Sequence, residues 1–224
     1  MSDVQASAKR AAALEAVALV QSGMALGLGT GSTARIAVEE IGRRLAGGRL
    51  CDIVAVPTSV ATREQARGAG IALTTLEAHP VLDLTIDGAD EVDARGDMIK
   101  GHGGALLWEK IVASASRRLV IVVDPSKLVE RLGTTRSLPV EVVRFGWGTH
   151  EGAIRALGAA SVLRRSAASG EPLVTDEGHY IIDCAFALGL TDPVAVDRAL
   201  KARPGVVETG LFLGFKPQII VGNG

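Results

Sequence analysis

The chain has 224 residues, enough for one domain or for a larger domain with a small companion. Hydrophobic residues make up 47% of it, ample for a core but too dispersed for a membrane span. A formal net charge of −1 and 3% aromatics exclude a basic nucleic-acid footprint and a base-stacking surface. Cys51 and Cys184 lie far apart in no metal-ligand spacing and read as reduced thiols. With no apolar signal-type segment near Met1, a cytoplasmic location is the expectation.

Residues 6–21 carry an apolar helical stripe, with Ala12, Ala13, Ala16, Val17, Leu19 and Val20 at helical spacing. Gly23 follows where a left-handed cap is expected. Residues 24–26 read as a strand that runs into Gly27-Leu28-Gly29-Thr30-Gly31-Ser32-Thr33, and a helix follows over about 34–45. A glycine-rich turn from strand to helix faces backbone N–H groups and a helix N-terminus outward, which makes an anion site. Thr30, Ser32 and Thr33 add hydroxyl donors; the competing reading is that Ser32 or Thr33 is only a helix cap. Gly29-x-Gly31-x-x-Ala34 also fits the dinucleotide fingerprint. The next strand, 53–56, ends in Pro57-Thr58-Ser59 rather than an acidic residue, and Asp52 stands at its other end. No Gly-Lys-Ser/Thr follows, so a Walker loop is excluded and a small phosphate is the expected ligand.

Thr58 or Ser59 can cap a helix to about residue 67, and 71–76 is the third strand. The apolar run 81–86 then ends on Asp87, with Asp90 three residues on around a Gly-Ala turn. A short strand of Met98 and Ile99 ends on Lys100. Gly101, Gly103 and Gly104 strip the next turn of side chains, and a helix opens at Ala105 with Glu109 in its second turn. Singly, Asp-Gly pairs and glycine clusters are ordinary turn chemistry. Three carboxylates and an ammonium around one glycine turn, at the carboxyl ends of strands, are the pattern of an active site in an open α/β sheet. His102 lies inside that turn and is read as offering its backbone. Residues 118–123 are the most strand-like run and lead into Asp124-Pro125-Ser126-Lys127, which puts Lys127 at a strand end as well.

From about residue 134 the texture changes. Strands at 139–143, 161–163, 173–175 and 179–183, a helix at 149–157, a second helix opened by Asp192-Pro193 and a strand at 206–212 follow the β-α-β-β-α-β order of a ferredoxin-like unit. Few charged groups gather there, so it is assigned to packing or oligomer contacts. Residues 217–221 return as a last apolar strand. The expected architecture is α/β: a doubly wound, mainly parallel, Rossmann-like sheet over 1–133 and 208–224, with a smaller ferredoxin-like α+β domain over 134–207. His79, His102, His150 and His179 have no ligand spacing, and no Cys or acid completes a set, so no metal is expected.

GLGTGSTA (27–34), IDGADEVD (86–93), IKGHGGALLWEK (99–110), DPSK (124–127) and PGVVETGLFLG (204–214) together resemble the ribose-5-phosphate isomerase A family over nearly the whole chain. Within them, His102 stands where that family more often has glycine or arginine, and Trp108 where it has a small polar or basic residue. The resemblance implies a metal-free aldose–ketose isomerase without cofactor, usually a homodimer. Such an enzyme interconverts D-ribose 5-phosphate and D-ribulose 5-phosphate in the pentose phosphate pathway. It implies that Thr30, Gly31, Ser32, Thr33, Asp87, Gly88, Ala89, Asp90, Lys100, Gly101, His102, Gly103 and Lys127 bind substrate, and that Glu109 accepts the proton. The chemistry agrees: one carboxylate can carry a proton between neighbouring carbons, Lys100 can steady the enediolate, and Asp87 and Asp90 can orient hydroxyls and help open the furanose ring. The alternatives are a sugar-phosphate-sensing effector domain, although no basic helix-turn-helix stretch precedes Met24, and a coenzyme A transferase-like enzyme, marked by a thioester on Glu109.

Overall fold

The computed structural model describes residues 3–223. In chain order its elements begin with α1 (Asp3–Val17), β1 (Ala25–Leu28), α2 (Ser32–Ala46), β2 (Val54–Pro57), α3 (Val60–Gly68) and β3 (Ala72–Leu73). Next come β4 (Leu84–Asp87), β5 (Glu91–Val92), β6 (Met98–Ile99), α4 (Leu106–Ser114), β7 (Leu119–Val123) and β8 (Leu138–Val142). The last are α5 (Glu151–Ala156), β9 (Ala159–Leu163), β10 (Tyr180–Phe186), α6 (Pro193–Lys201), β11 (Val206–Thr209), β12 (Leu211–Phe212) and β13 (Gln218–Val221). The chain divides into two compact units: Met1–Ala89 with Trp108–Lys127 and Phe215–Gly224, and Asp90–Leu107 with Leu128–Gly214.

In the first unit six strands pair in the order β13-β7-β4-β1-β2-β3, all parallel. Every residue of β1, β4 and β7 is buried, as strands require when helices cover both faces. Ala12, Ala13, Ala16 and Val17 of α1 and Ala37, Val38 and Ile41 of α2 pack on Leu26, Leu28, Leu84, Ile86, Val120 and Val122. Burial of each large aliphatic side chain among them contributes about 1.5–3 kcal/mol. From β1 the chain steps outward through β2 and β3, then crosses to β4 on the other side of β1, so the strand order reverses between β1 and β4. Strand β3 is shorter than the expected 71–76 because the chain turns at Thr75, whose carbonyl accepts the His79 N–H.

The second unit holds an antiparallel sheet, β11-β8-β10-β9, together with α5 and α6. Numbered within this sheet its order is 4-1-3-2, that of the ferredoxin-like motif. Residues 173–175, expected as a strand, make only a single bridge from Val174 to Tyr180. The expected strand 206–212 breaks at Gly210, whose N–H donates to the Pro139 carbonyl and whose carbonyl accepts the Lys100 N–H. There the chain leaves the four-stranded sheet for a small one, β12-β6-β5.

That small sheet carries residues 90–107 into the second unit, whereas the sequence reading placed them in the first and drew boundaries at 133/134 and 207/208. A buried side chain strengthens the attachment. The Glu91 carboxylate accepts the Thr135 N–H at 2.6 Å, the Thr135 hydroxyl at 2.7 Å, the Arg136 N–H at 2.8 Å and the Gly133 N–H. Charge-assisted bonds of this kind contribute roughly 1.5–3 kcal/mol each, and because these share one acceptor group their sum is smaller than simple addition gives. Glu91→Ala is therefore expected to destabilise the protein by about 3 kcal/mol, read from urea unfolding. An unchanged urea midpoint would show that the carboxylate does not hold this loop.

Candidate active site

Strand β1 ends at Leu28 and the chain turns directly against the end of β4. The Thr30 N–H donates to Asp87 Oδ1 at 3.1 Å, and the Gly88 N–H to the same oxygen at 2.7 Å. Only glycine fits at position 29, because a Cβ there would lie 2.1 Å from Asp87 Oδ1 and 2.5 Å from the Asp87 Cα. The Thr30 hydroxyl joins a cluster at the start of α3: it lies 2.8 Å from the oxygens of Thr58 and Ser59 and 3.0 Å from that of Thr62. Ser59 caps α3 by accepting the Thr62 N–H, and the Thr62 hydroxyl donates to the Gly29 carbonyl. The turn is thus held from both flanking strands, β2 as well as β4.

Helix α2 is capped by Gly31 with no side-chain hydrogen bond, so neither Ser32 nor Thr33 serves as its cap. Ser32 Oγ instead accepts a hydrogen bond from the Lys9 ammonium at 3.0 Å. Lys9 sits on the buried face of α1 and is only 9% exposed. The sequence reading missed it, taking 6–21 for its apolar stripe alone. The available signal was a lysine in register with Ala12, Ala13 and Ala16, since a charge on a buried face demands a partner. An ammonium beside the N-terminus of a fifteen-residue helix is a strong place for an anion.

Strand β7 leads to Asp124 and a short 3-10 turn, Pro125–Lys127. Burial pushes the Asp124 carboxyl up, but the Ser126 donors and the Lys127 charge outweigh it and leave the group below the usual carboxylate range. Because β4 lies between β7 and β1, the Lys127 backbone follows a strand about 10 Å from β1, two strand spacings away. Glu109 stands in the first turn of α4 and is 5% exposed. Beside it, the Trp108 ring is covered by the Arg63 guanidinium, 5.4 Å from its centroid.

The second unit assembles the remaining candidates. The Asp90 N–H donates to the Ile99 carbonyl, and Asp90 Oδ2 accepts the His102 N–H at 3.0 Å. Lys100 is 2% exposed, with its ammonium 5.4 Å from the centroid of Phe212. Gly101 has φ +107, and a Cβ there would meet the Leu106 side chain at 2.7 Å, so the turn depends on glycine at that point. His102 Nε2 lies 3.0 Å from the Ser137 carbonyl; a carbonyl only accepts, so this ring nitrogen carries the hydrogen. Arg164 donates to the carbonyls of Gly101 at 2.6 Å and His102 at 3.3 Å, and pairs with both oxygens of Asp183. The sequence reading gave this region to packing and missed both residues. Asp183 inside the apolar strand β10 was the signal, because aspartate is depleted in strands and needs a partner there.

The candidates therefore form two groups, each built within its own unit: Thr30, Gly31, Ser32, Thr33, Asp87, Gly88, Ala89, Glu109 and Lys127 in the first, and Asp90, Lys100, Gly101, His102 and Gly103 in the second. The first includes the turns after β1 and β4, on either side of the point where the strand order reverses, which is where open α/β sheets bind ligands.

A model of the ribose 5-phosphate isomerase A (phosphoriboisomerase A) family matches residues 54–224. Ribose-5-phosphate isomerase A of Synechococcus sp. (strain JA-3-3Ab) is 50% identical over 214 residues, which cover 95% of this chain and 92% of that protein. The structure of ribose 5-phosphate isomerase from Plasmodium falciparum matches with a TM-score of 0.91 and 40% identity, over 95% of this chain and 92% of that one. A D-ribose-5-phosphate isomerase in complex with phospho-erythronic acid matches with a TM-score of 0.94 and 35% identity, over 99% and 96%. Sequence and fold agree across almost the full length, and the chain belongs to the ribose 5-phosphate isomerase A family.

Proposed function

We propose that Glu109 carries the proton in this chain's reaction, the interconversion of D-ribose 5-phosphate and D-ribulose 5-phosphate, while the strand-end groups hold the sugar phosphate. The chain is an aldose–ketose isomerase. The observation that carries the assignment to Glu109 is a carboxylate buried to 5% exposure in the first turn of α4, in a chain of this family. Shielding from bulk water slows loss of the abstracted proton, so that a share of it is handed on directly while the rest exchanges.

Isomerisation needs few groups. With the furanose ring open, Glu109 takes the proton from C2, the electron pair forms the C1–C2 double bond, and the C1 carbonyl oxygen becomes an enediolate oxygen. Lys100 and the backbone N–H groups of Gly101 and Gly103 are proposed to hold that charge. The O2 proton passes to O1, Glu109 returns its proton to C1, and the carbonyl is left at C2. Asp87 and Asp90 are proposed to position the sugar hydroxyls through these transfers and to assist ring opening. The reading also has the enzyme acting as a cytoplasmic homodimer, supported by the family resemblance; sedimentation at twice the monomer mass is the check. Among the described residues no helix is long and apolar enough to cross a membrane.

The phosphate is assigned to the N-terminus of α2 with residues 30–33 and Lys9, and Lys127 to sugar oxygens. Lys9 touches Ser32, whereas Lys127 follows a strand two places from β1. Losing a charge-assisted bond costs about 1.5–3 kcal/mol. Lys9→Met is thus expected to weaken inhibition by inorganic phosphate about 10–100-fold, while Lys127→Met raises the KM for ribose 5-phosphate and leaves phosphate inhibition near the wild-type value. The reverse pattern would exchange the two roles.

Glu109→Gln keeps the size and hydrogen bonding of the side chain but cannot accept a proton. Its kcat is expected to fall by at least ~10²–10⁴-fold with KM little changed. Near-normal turnover by a folded variant would move the base elsewhere, with Asp87 or Asp90 as the next candidates.

A further inference from the structure

Arg164 lies in the part of the chain that the sequence assigns to packing, yet its guanidinium faces the backbone of the glycine turn. One nitrogen, Nη1, donates to the Gly101 carbonyl at 2.6 Å and to the His102 carbonyl at 3.3 Å. The other two are held by Asp183, Nε on Oδ2 at 2.8 Å and Nη2 on Oδ1 at 2.5 Å, and Ser137 Oγ donates to Asp183 Oδ1 at 3.1 Å. The planar fork is therefore fixed before it meets the turn.

A trans peptide points its carbonyl and the following N–H in opposite directions, and no peptide among the described residues is cis. When Arg164 draws the Gly101 carbonyl to one side, the His102 N–H must face the other, where it meets Asp90 Oδ2 at 3.0 Å. When Arg164 draws the His102 carbonyl the same way, the Gly103 N–H is turned away from the guanidinium as well. Two successive N–H groups on one side of a turn form a concavity for an anionic oxygen. A cation on the carbonyl side also polarises both peptides and makes each N–H a better donor.

We propose that Arg164 is a positioning residue for the isomerisation, acting through the glycine turn: it aligns the peptides after Gly101 and His102 so that one N–H holds Asp90 and the next is presented to the enediolate oxygen. The inference rests on the isomerase reading above. Arg164 touches no reacting atom; its effect passes through Asp90 and the Gly103 N–H. It should therefore appear in turnover rather than in phosphate affinity.

The test compares wild type, Arg164→Ala and Arg164→Lys in steady-state kinetics with ribose 5-phosphate, with inorganic phosphate as inhibitor, in the presence and absence of guanidinium ion at millimolar concentration. A misplaced turn is expected to lower kcat by about 10²-fold in Arg164→Ala. Inhibition by phosphate should be unchanged, and guanidinium should restore much of the lost rate in Arg164→Ala while leaving wild type as it was. Lysine cannot bridge Asp183 and two carbonyls, so Arg164→Lys should also be slow. Should the alanine variant fail to fold, Arg164→Lys with an unaltered circular dichroism spectrum carries the same comparison. Wild-type kcat in either folded variant, or a loss in Arg164→Ala that guanidinium does not relieve, overturns the proposal. A wild-type protein unable to isomerise ribose 5-phosphate overturns the isomerase reading instead.

Discussion

The Asp87 carboxylate takes the Thr30 and Gly88 N–H groups on one oxygen, and the candidate site of the first unit is built around that grip. Asp87 ends β4 and Thr30 follows β1, so the bond ties together two turns on adjacent parallel strands where the strand order reverses. One of those turns opens α2 and the other continues into the Gly88-Ala89-Asp90 segment. The two turns are thereby set at a fixed spacing to each other. The grip exists because Gly29 has no side chain: a methyl group there would overlap the carboxylate itself. Thr62 holds the Gly29 carbonyl from the opposite flank, so the turn is constrained along both edges.

The second unit uses the same device with different partners. Glu91 gathers backbone N–H groups of residues 133–136, and Arg164 gathers the carbonyls of Gly101 and His102. In each case a charged side chain organises main-chain atoms of a loop, using charge-assisted bonds that are roughly twice as strong as neutral ones. Loops so held need little apolar burial of their own, which suits turns whose glycines bring no side chain to a core. Such segments are expected to be stiff for loops and sensitive to the loss of a single ionised group.

Much of this was legible in the chain itself. The apolar runs of β1, β4 and β7 and the alanine stripe of α1 follow from periodicity, and the mainly parallel sheet follows from alternating strands and helices. The composition of the GLGTGSTA turn led to the expectation of an anion site, and in the structure Gly31 rather than Ser32 or Thr33 caps the helix that follows. What stayed hidden was decided by distant partners. Lys9 looked like one more helix residue because its relation to Ser32 is fixed only when α1 packs on α2. Arg164 and Asp183 lie more than sixty and eighty positions from Gly101, and no local pattern links a strand end to a carbonyl that far away. Residues 90–107 were grouped with the wrong neighbours for the same reason, since two-residue strands carry almost no periodic signal and find their sheet through β12. The role proposed for Glu109 came from resemblance, because a carboxylate early in a helix has many other uses.

The central claim is that one carboxylate, Glu109, carries the proton between C2 and C1. It is tested most directly by running the isomerisation in deuterium oxide and locating deuterium in the ribulose 5-phosphate formed. The account predicts deuterium at C1 with wild-type protein, less the share of protons handed across directly, and almost none with Glu109→Gln over the same time. Equal incorporation at C1 by a folded Glu109→Gln protein would contradict it.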